Sequence, residues 1–365
     1  MWFIRKNRLD NEREISILGK PIIHYERKKF PRSRETYISF FPKQSLKDRL
    51  TDILEFKGDS LAYELEFLEK RFSKYDFDDA YIFASASGET FFTMQYFDQI
   101  CKKMGSKKPL LLSNKPYAND IFKMFYPKTE NIIHFSILFD MVDPMTPYSI
   151  NNHRYIFPFT KSYFTKLEKK HKQGENCHFY ENLIDTFGLD PAERREPEIR
   201  NEDKENVENL IKNKALGDRF VIVSPHAASN DSLSQWFWEE LYVSLNTQGY
   251  AVFLNTQDCG LNLAAYRYMA SKSKAVIGVR SGALDLSADV APMTIAYYLP
   301  FRRRHTWDPI RASHIMNNFS LKRIPGCELK QIHEYDVCKE GEYAVMERTL
   351  NLLNDVSTVR YTNEN

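Results

Sequence analysis

The sequence has little net charge and no hydrophobic run long enough to cross a membrane. Its 365 residues include 51 Lys and Arg against 49 Asp and Glu, so the formal net charge is only +2. No overall electrostatic field therefore favours nucleic acid as a partner. Residues 1–8 lack the apolar core of a signal sequence. Together these absences predict a cytoplasmic protein that does not bind nucleic acid.

Cysteines are few and scattered along the chain. None forms a CxxC pair and none has the spacing of a metal site; the five are Cys101, Cys177, Cys259, Cys327 and Cys338. An odd, dispersed set predicts reduced thiols, as in a cytosol. No bound metal and no cofactor are expected.

The first 40 residues are basic and aromatic, and two interpretations stay open. The stretch could lie on an anionic membrane face, with Trp2, Phe3 and Phe30 at the interface. It could instead form a small hairpin packed on the body of the protein, with its turn at 19–21. Apolar residues at helical spacing then predict two structural helices within 45–74.

Strands and helices alternate in two sets, which is the βαβ pattern of parallel sheets. The first set has strands at 80–84, 109–113 and 131–135 and helices at 91–104 and 117–125. The second has strands at 220–224, 250–254, 275–279 and 293–298. Its helices are predicted at 235–247, after a cap at Ser232 or Ser234, and at 261–271 and 283–289.

The two sets predict an α/β protein with two Rossmann-like domains that face each other across a cleft. We place an N-terminal extension at 1–75, the first domain at 76–195, the second at 196–335, and a C-terminal helix and tail at 336–365. The polar segment 161–213 reads as the inter-domain connection plus a solvated helix, with no chemistry of its own.

The loop after the first strand carries Ser87-Gly88-Glu89-Thr90 at the start of a helix. A carboxylate there can face the cleft and remove a proton from a hydroxyl, and Gly88 would admit a substrate close to the backbone. The alternative is a first-turn acid that the helix dipole stabilises. The loop is not GxGxxG, which disfavours a nicotinamide dehydrogenase.

Two loops of the second set could hold a phosphorylated ligand. In the first of them, Ser224, His226 and Ala227 follow a strand, and backbone amides or the histidine could contact a diphosphate. His226 could equally be a loop histidine with no ligand.

The second loop leads from a strand into a short helix and contains Arg280, Ser281, Gly282, Ala283 and Asp285. Its amides and Arg280 suit a phosphate, whereas Asp285 either accepts from sugar hydroxyls or pairs with Arg280. A basic loop at 302–305 could face the same ligand or lie in solvent.

In order and spacing, these loops resemble GT-B glycosyltransferases, in particular the ADP-heptose:lipopolysaccharide heptosyltransferase family. Ser87-Gly88-Glu89-Thr90 stands where that family has Gly-Asp before an apolar helix. Residues 224–229, followed by Trp236, stand at its His-Pro-Gly-Ala-Ser-like loop. Residues 278–285 stand at its Gly-Asn-Asp-Ser-Gly-x-x-His. The resemblance covers about residues 78–125 and 219–300.

The resemblance implies a GT-B fold, with Glu89 at the position of the catalytic aspartate and Ser281 and Gly282 in the donor-phosphate loop. Arg280 replaces an acid of the family and Asp285 replaces its histidine, so ADP-heptose is not assigned as the donor. A nucleotide sugar and a growing capsule or lipopolysaccharide glycan, lipid-linked at the inner membrane, are the implied substrates. Transfer would be inverting and metal-independent. The alternatives are a nucleotide-sugar 2-epimerase and a non-catalytic GT-B protein that binds glycan or scaffolds an assembly.

Overall fold

In a computed structural model, the chain divides into two compact units, residues 1–74 and residues 75–365. The structure describes residues 2–7, 12–17, 20–29, 34–40, 69–70 and 72–359. The last range has gaps at 84–85, 114–115, 128–131, 135–147, 151, 157, 159–177, 228–229, 257–258 and 301–310.

The first unit contains a four-stranded antiparallel sheet whose strands follow chain order. They are β1 (Trp2–Asn7), β2 (Glu12–Ile17), β3 (Lys20–Lys29) and β4 (Arg34–Phe40). The predicted hairpin is therefore present as β2 and β3, although Lys20 and Pro21 belong to β3 and not to the turn. The two helices predicted within 45–74 lie almost wholly outside the described residues.

The second unit begins with a mostly parallel five-stranded sheet of order β7-β6-β5-β9-β8, in which β8 alone is antiparallel to its neighbour. Its strands are β5 (Asp79–Phe83), β6 (Pro109–Ser113), β7 (Ile132–His134), β8 (Tyr148–Ile150) and β9 (His153–Ile156). All residues of β5 are buried. A parallel strand covered on both faces requires such a continuous apolar run, which is why the sequence predicted it.

The helix predicted at 91–104 is in fact two helices, and it begins earlier. Helix α1 (Ser87–Gln95) is followed by α2 (Phe97–Met104), with α3 (Pro116–Phe125) after β6. Tyr96 separates the first two because its φ of −112° and ψ of 10° leave the helical region. The early start places Glu89 within the first turn of α1.

The connection between the sheets was predicted as a polar linker with a solvated helix, and this is wrong for the part that forms a buried helix. Helix α4 (Phe179–Phe187) is amphipathic and buries Phe179, Tyr180 and Leu183. Helix α5 (Asn201–Asn213) is mostly exposed, as predicted.

The second sheet is fully parallel and has the order β11-β10-β12-β13-β14. Its strands are β10 (Phe220–Ser224), β11 (Ala251–Leu254), β12 (Ala275–Val279), β13 (Met293–Tyr298) and β14 (Gln331–Asp336), the last of which was not predicted. The associated helices are α6 (Gln235–Thr247), α7 (Leu263–Lys272), α8 (Gly282–Ser287), α9 (Ala312–Phe319), α10 (Val337–Glu340) and α11 (Glu342–Val359). Ser234 caps α6, as predicted, by accepting from the Phe237 N–H at 3.2 Å.

One apolar core runs from the first parallel sheet into the second. A continuous set of buried side chains in contact links Phe91 of α1 to Ile222 of β10. The Arg267 guanidinium of α7 also lies 5.2 Å from the centre of the Phe91 ring. The domain boundaries at 195 and 335 therefore remain predictions. Four cysteines, Cys101, Cys259, Cys327 and Cys338, are free thiols, and Cys177 lies outside the described residues.

Within the ranges that the structure describes, no helix is both long enough and apolar enough to span a membrane.

Candidate active site

The carboxyl ends of β5 and β12 lead into two helices, α1 and α8, that pack directly against each other. Two glycines permit this contact. A Cβ built on Gly88 would overlap the Asp285 carboxylate, and one built on Gly282 would overlap the Ser87 hydroxyl. The glycine at position 88, which was predicted to leave room for a substrate, thus leaves room for the neighbouring helix. Ligands of open α/β sheets bind at these carboxyl ends.

Arg280 and Asp285 form a buried ion pair behind this contact. Their side chains are only 6% and 7% exposed, and Arg280 Nη2 lies 2.6 Å from Asp285 Oδ1. The Tyr180 phenol donates to the same oxygen at 2.5 Å. Burial and the Asp285 charge raise the pKa of Tyr180 well above its usual value, so the phenol keeps the proton that it donates.

Each nitrogen of the Arg280 guanidinium donates to an acceptor within the chain. Nε donates to the Phe319 carbonyl at 3.0 Å, and Nη1 donates to the Ser281 carbonyl at 3.0 Å and to Asp285 Oδ2 at 2.9 Å. Nη2 donates to the Tyr180 hydroxyl at 3.4 Å and lies in the ion pair 2.6 Å from Asp285 Oδ1. Of the two roles predicted for Asp285, the pairing with Arg280 is the one present, and together these contacts engage all three guanidinium nitrogens within the chain.

Glu89 is the titratable group best suited to chemistry at this edge. Its partly buried carboxylate accepts a hydrogen bond from its own backbone N–H, and no described side chain donates to it. Burial and then the Asp285 carboxylate raise the pKa of Glu89 to about 7, against the opposing effect of Arg280. A carboxylate that titrates near neutral pH suits general base catalysis.

The residues next to Glu89 make contacts that support helix α1 and its packing. The Thr90 hydroxyl donates to the Ala86 carbonyl at 3.0 Å, one turn back. Ser87 is half-buried and contacts Gly282. These positions shape the acceptor-side loop that the sequence predicted, and their contacts with an acceptor stay a prediction.

The loop after β10 reaches the same region through Asn230, whose amide donates to the Arg280 carbonyl at 2.8 Å. Ser224 is buried, and its hydroxyl accepts from Asn255 at 2.9 Å, so it belongs to the sheet end. His226 is exposed and Ala227 is half-buried. The structure therefore brings the three predicted loops together, although the Ser224 hydroxyl contacts Asn255 of the same chain. The basic loop at 302–305 lies outside the described residues.

Ser281 precedes α8 as its N-cap residue, but its side chain does not cap the helix. Its carbonyl accepts from Leu284 and Asp285. The hydroxyl oxygen is buried and has no hydrogen-bond partner among the residues that the structure describes. A buried hydroxyl without a partner costs about 1–3 kcal/mol. Contact of this oxygen with a ligand of the predicted donor loop stays a prediction. Gly282 and Ala283 follow it, both partly buried.

Sequence reasoning missed Tyr180 and His178, both near the start of α4. His178 is 1% exposed, and its Nε2 contacts the Ser320 carbonyl at 2.9 Å. Burial and the neighbouring Arg323 and Arg280 lower the pKa of His178 to about 3. Apolar residues at 179, 180, 183, 184 and 187 have helical spacing, and that signal could have revealed the helix.

A surface pocket of about 450 Å³ lies at the other end of the first sheet, beside Lys108 and Pro109 where β6 begins. In parallel strands that end is opposite to Glu89, so the pocket is separate from the candidate site. Within the described residues, no group of three or more His, Cys, Asp or Glu could hold a metal ion.

No protein-family model and no curated protein sequence matches the chain. Among solved structures, it is similar to a family 9 glycosyltransferase from Veillonella parvula DSM 2008, with 9% identity, a TM-score of 0.43, and coverage of 73% of this chain and 88% of the other. It is also similar to E. coli ADP-heptose lipopolysaccharide heptosyltransferase II, with 9% identity, a TM-score of 0.40, and coverage of 77% and 99%. A third is the iron-containing dodecameric glycosyltransferase TibC of enterotoxigenic E. coli, with 12% identity, a TM-score of 0.39, and coverage of 74% and 76%.

Proposed function

We propose that the chain is an inverting glycosyltransferase that moves a sugar from a nucleotide-sugar donor to a cell-surface glycan of the capsule or lipopolysaccharide type. The observation that carries the proposal is Glu89. Its carboxylate has no side-chain donor among the described residues, has a pKa of about 7, and lies where the helices that follow two parallel sheets meet.

In the proposed reaction, Glu89 takes the proton of an acceptor hydroxyl. The hydroxyl oxygen attacks the anomeric carbon as the bond from that carbon to the diphosphate breaks, and the nucleoside diphosphate leaves with the electron pair. No metal is required in this scheme.

On the donor side, the buried Ser281 hydroxyl, the amides of Gly282 and Ala283 and the exposed His226 would meet the diphosphate. Because all three guanidinium nitrogens of Arg280 are engaged within the chain, we assign it a positioning role. Its Nη1 bond to the Ser281 carbonyl holds the loop in place.

The proposal places the chain in the cytoplasm, at the inner face of the inner membrane, where a lipid-linked acceptor would lie. A peripheral contact is sufficient for this location.

The test is the release of nucleoside diphosphate by wild type and Glu89→Gln. We expect wild-type release to rise with pH through about 7, because only the ionised carboxylate can accept a proton. Glu89→Gln should abolish release. The matched control is Glu202→Gln, which makes the same change in the first turn of the exposed helix α5 and should leave the rate unchanged.

Nucleotide binding is measured separately by thermal stabilisation with ADP, GDP, UDP, CDP and CMP. A nucleotide at about a hundred times its dissociation constant adds roughly 2.7 kcal/mol to the free energy of unfolding. Glu89→Gln should keep that stabilisation. Turnover retained in Glu89→Gln would remove Glu89 as the base.

A second candidate is a non-catalytic GT-B protein that binds glycan or scaffolds an assembly. The Arg280–Asp285 ion pair favours this candidate, because Asp285 already neutralises the positive charge that was expected to bind a diphosphate. Stabilisation by none of the nucleotides would establish this candidate over the transferase. Donor turnover without any acceptor, giving an isomerised sugar, would instead indicate an epimerase.

A further inference from the structure

The register of the first-unit sheet sorts its residues onto two faces. Successive residues of a strand alternate between faces, and directly paired residues share one. Ile4 pairs with Ile15, Ile15 with Ile23, and Ile23 with Phe40, so these four residues lie in one row on one face. The register is irregular between Ile15 and Ser16, and residues 20–22 are therefore left unassigned.

Charges separate between the two faces. Five cations share the face of Ile15, which we call the basic face: Lys6, Arg13, Arg27, Lys29 and Arg34. All four glutamates of the strands fall on the opposite face, together with two cations: Glu12, Glu14, Glu26, Glu35, Arg5 and Lys28. The basic face thus carries no acid in its assigned strand positions.

The basic face also has an apolar end. It consists of the row of Ile4 and the neighbouring pair Trp2–Ile17. The next row is mixed, because Lys6 pairs with Arg13, Arg13 with Tyr25, and Tyr25 with Ile38. The cations occupy the other end, where Arg27 pairs with Thr36 and Lys29 with Arg34. An apolar block, made of Trp2, Ile17 and the row of Ile4, therefore adjoins the cations through the mixed row.

We propose that the basic face is a docking surface for an anionic lipid membrane. Five like charges without an acid repel one another, and anionic headgroups relieve that repulsion. Each Lys or Arg close to an anionic surface strengthens membrane binding roughly fivefold. The adjoining apolar block, with Trp2 and four isoleucines, suits the boundary between headgroups and acyl chains.

A nucleic acid would also match the charge, but the apolar block argues against it. Single-stranded nucleic acids are bound by aromatic side chains that stack on bases, whereas aliphatic isoleucines prevail in this block. The register also refines the sequence-based hypothesis. Trp2 lies on the basic face, Phe3 on the opposite one, and Phe30 outside the described residues.

The inference deepens the proposed function by naming a membrane-binding surface, and its test does not require sugar transfer. The full chain is mixed with phosphatidylcholine vesicles, with and without phosphatidylglycerol, and binding is measured by flotation. Arg27→Gln with Lys29→Gln removes two charges from the basic face. Arg5→Gln with Lys28→Gln removes the same charge from the opposite face of the same sheet and serves as the matched control.

We expect binding only to the vesicles that contain phosphatidylglycerol, decreasing as salt screens the charges. The basic-face pair should weaken binding roughly 25-fold, the product of two fivefold losses. The control pair of substitutions should keep most of the vesicle binding. Trp2→Ala, which leaves the charge unchanged, should weaken binding as well.

Equal losses from the two pairs, no binding to anionic vesicles, or tighter binding to an RNA oligonucleotide at the same salt would each overturn the proposal. Nucleoside diphosphate release distinguishes its failure from failure of the proposed function. If release persists without vesicle binding, only the proposal of a docking surface fails. If the protein binds vesicles but no form of it releases nucleoside diphosphate, only the proposed transferase function fails.

Discussion

Tyr180 and Tyr268 both donate a phenolic proton to a carboxylate, but only Tyr180 does so in the protein interior. Its partner Asp285 is buried, whereas Tyr268 contacts the exposed Glu208 at 2.8 Å. Tyr180→Phe should lower the free energy of unfolding by about 1.5–3 kcal/mol, because a buried charged acceptor loses its donor. Tyr268→Phe should cost less than about 1 kcal/mol. Urea unfolding measures both, and equal losses would refute a special role for the buried cluster.

The environment of Glu89 shows which electrostatic effect dominates at this position. A carboxylate in the first turn of a helix is stabilised by the helix dipole, which acts to lower its pKa. Here burial and the nearby Asp285 carboxylate are stronger, and the pKa rises to about 7. With Glu89 ionised, the two carboxylates and Arg280 sum to one negative charge, and with Glu89 protonated they sum to zero. The site therefore favours uptake of one proton by Glu89, and the ionised form that prevails above pH about 7 is the one that can take this proton from a substrate hydroxyl.

The contact between α1 and α8 depends on the absence of a side chain at Gly88. In a free helix, Gly88→Ala would stabilise by roughly 0.5–1 kcal/mol. In this protein the added methyl group would overlap the Asp285 carboxylate and force the helices apart. We expect Gly88→Ala to lower both the melting temperature and the release of nucleoside diphosphate.

The control for that variant is Gly105→Ala. Gly105 ends α2 with a φ of +73°, and its Cβ would meet nothing within 4 Å. This change should lower stability through backbone strain alone. Unchanged release in Gly88→Ala would show that the helix contact does not shape the site.

The elements that the sequence predicted are those whose signal is local. Strands β5, β10 and β12 are continuous apolar runs, and Ser234 caps α6 from its own position. The break at Tyr96 could not be predicted, since it depends on one backbone conformation within an apolar stretch. Asp285 was predicted as a possible partner of Arg280, but two other partners were unpredictable for a different reason. Phe319 and Tyr180 are distant in sequence and meet it only in the folded chain.

At the scale of the second unit, polar contacts join α4 and its N-cap residue His178 to segments of the second half of the fold. Tyr180 reaches Asp285, His178 reaches the Ser320 carbonyl, and Glu181 pairs with Arg323. Each contact crosses from the connecting segment to residues beyond β12. Two groups of this region, His178 and Glu89, have pKa values displaced in ways that make the stability of the whole molecule depend on pH.

His178 should destabilise the fold in acid. Its pKa is about 3 in the folded protein against a usual value of 6.5, so the unfolded chain binds a proton that the folded chain does not. Its stabilising effect is complete above pH 6.5 and is lost as the pH falls towards 3, by up to about 1.4 kcal/mol per pH unit. Glu89 acts in the opposite direction between its usual value of 4.5 and about 7, where the folded state holds the extra proton.

The two groups therefore oppose each other between pH 4.5 and 6.5, and of the two only His178 acts below 4.5. His178→Gln should remove part of the acid-induced loss of stability, most clearly between pH 4.5 and 3, where Glu89 no longer contributes. The free energy of unfolding across this range measures the effect. His226→Gln, which removes an exposed histidine, should keep the wild-type slope. If the free energy of unfolding varies with pH in parallel for wild type and His178→Gln, the folded protein accepts the His178 proton as readily as the unfolded chain does, without loss of the contacts around α4.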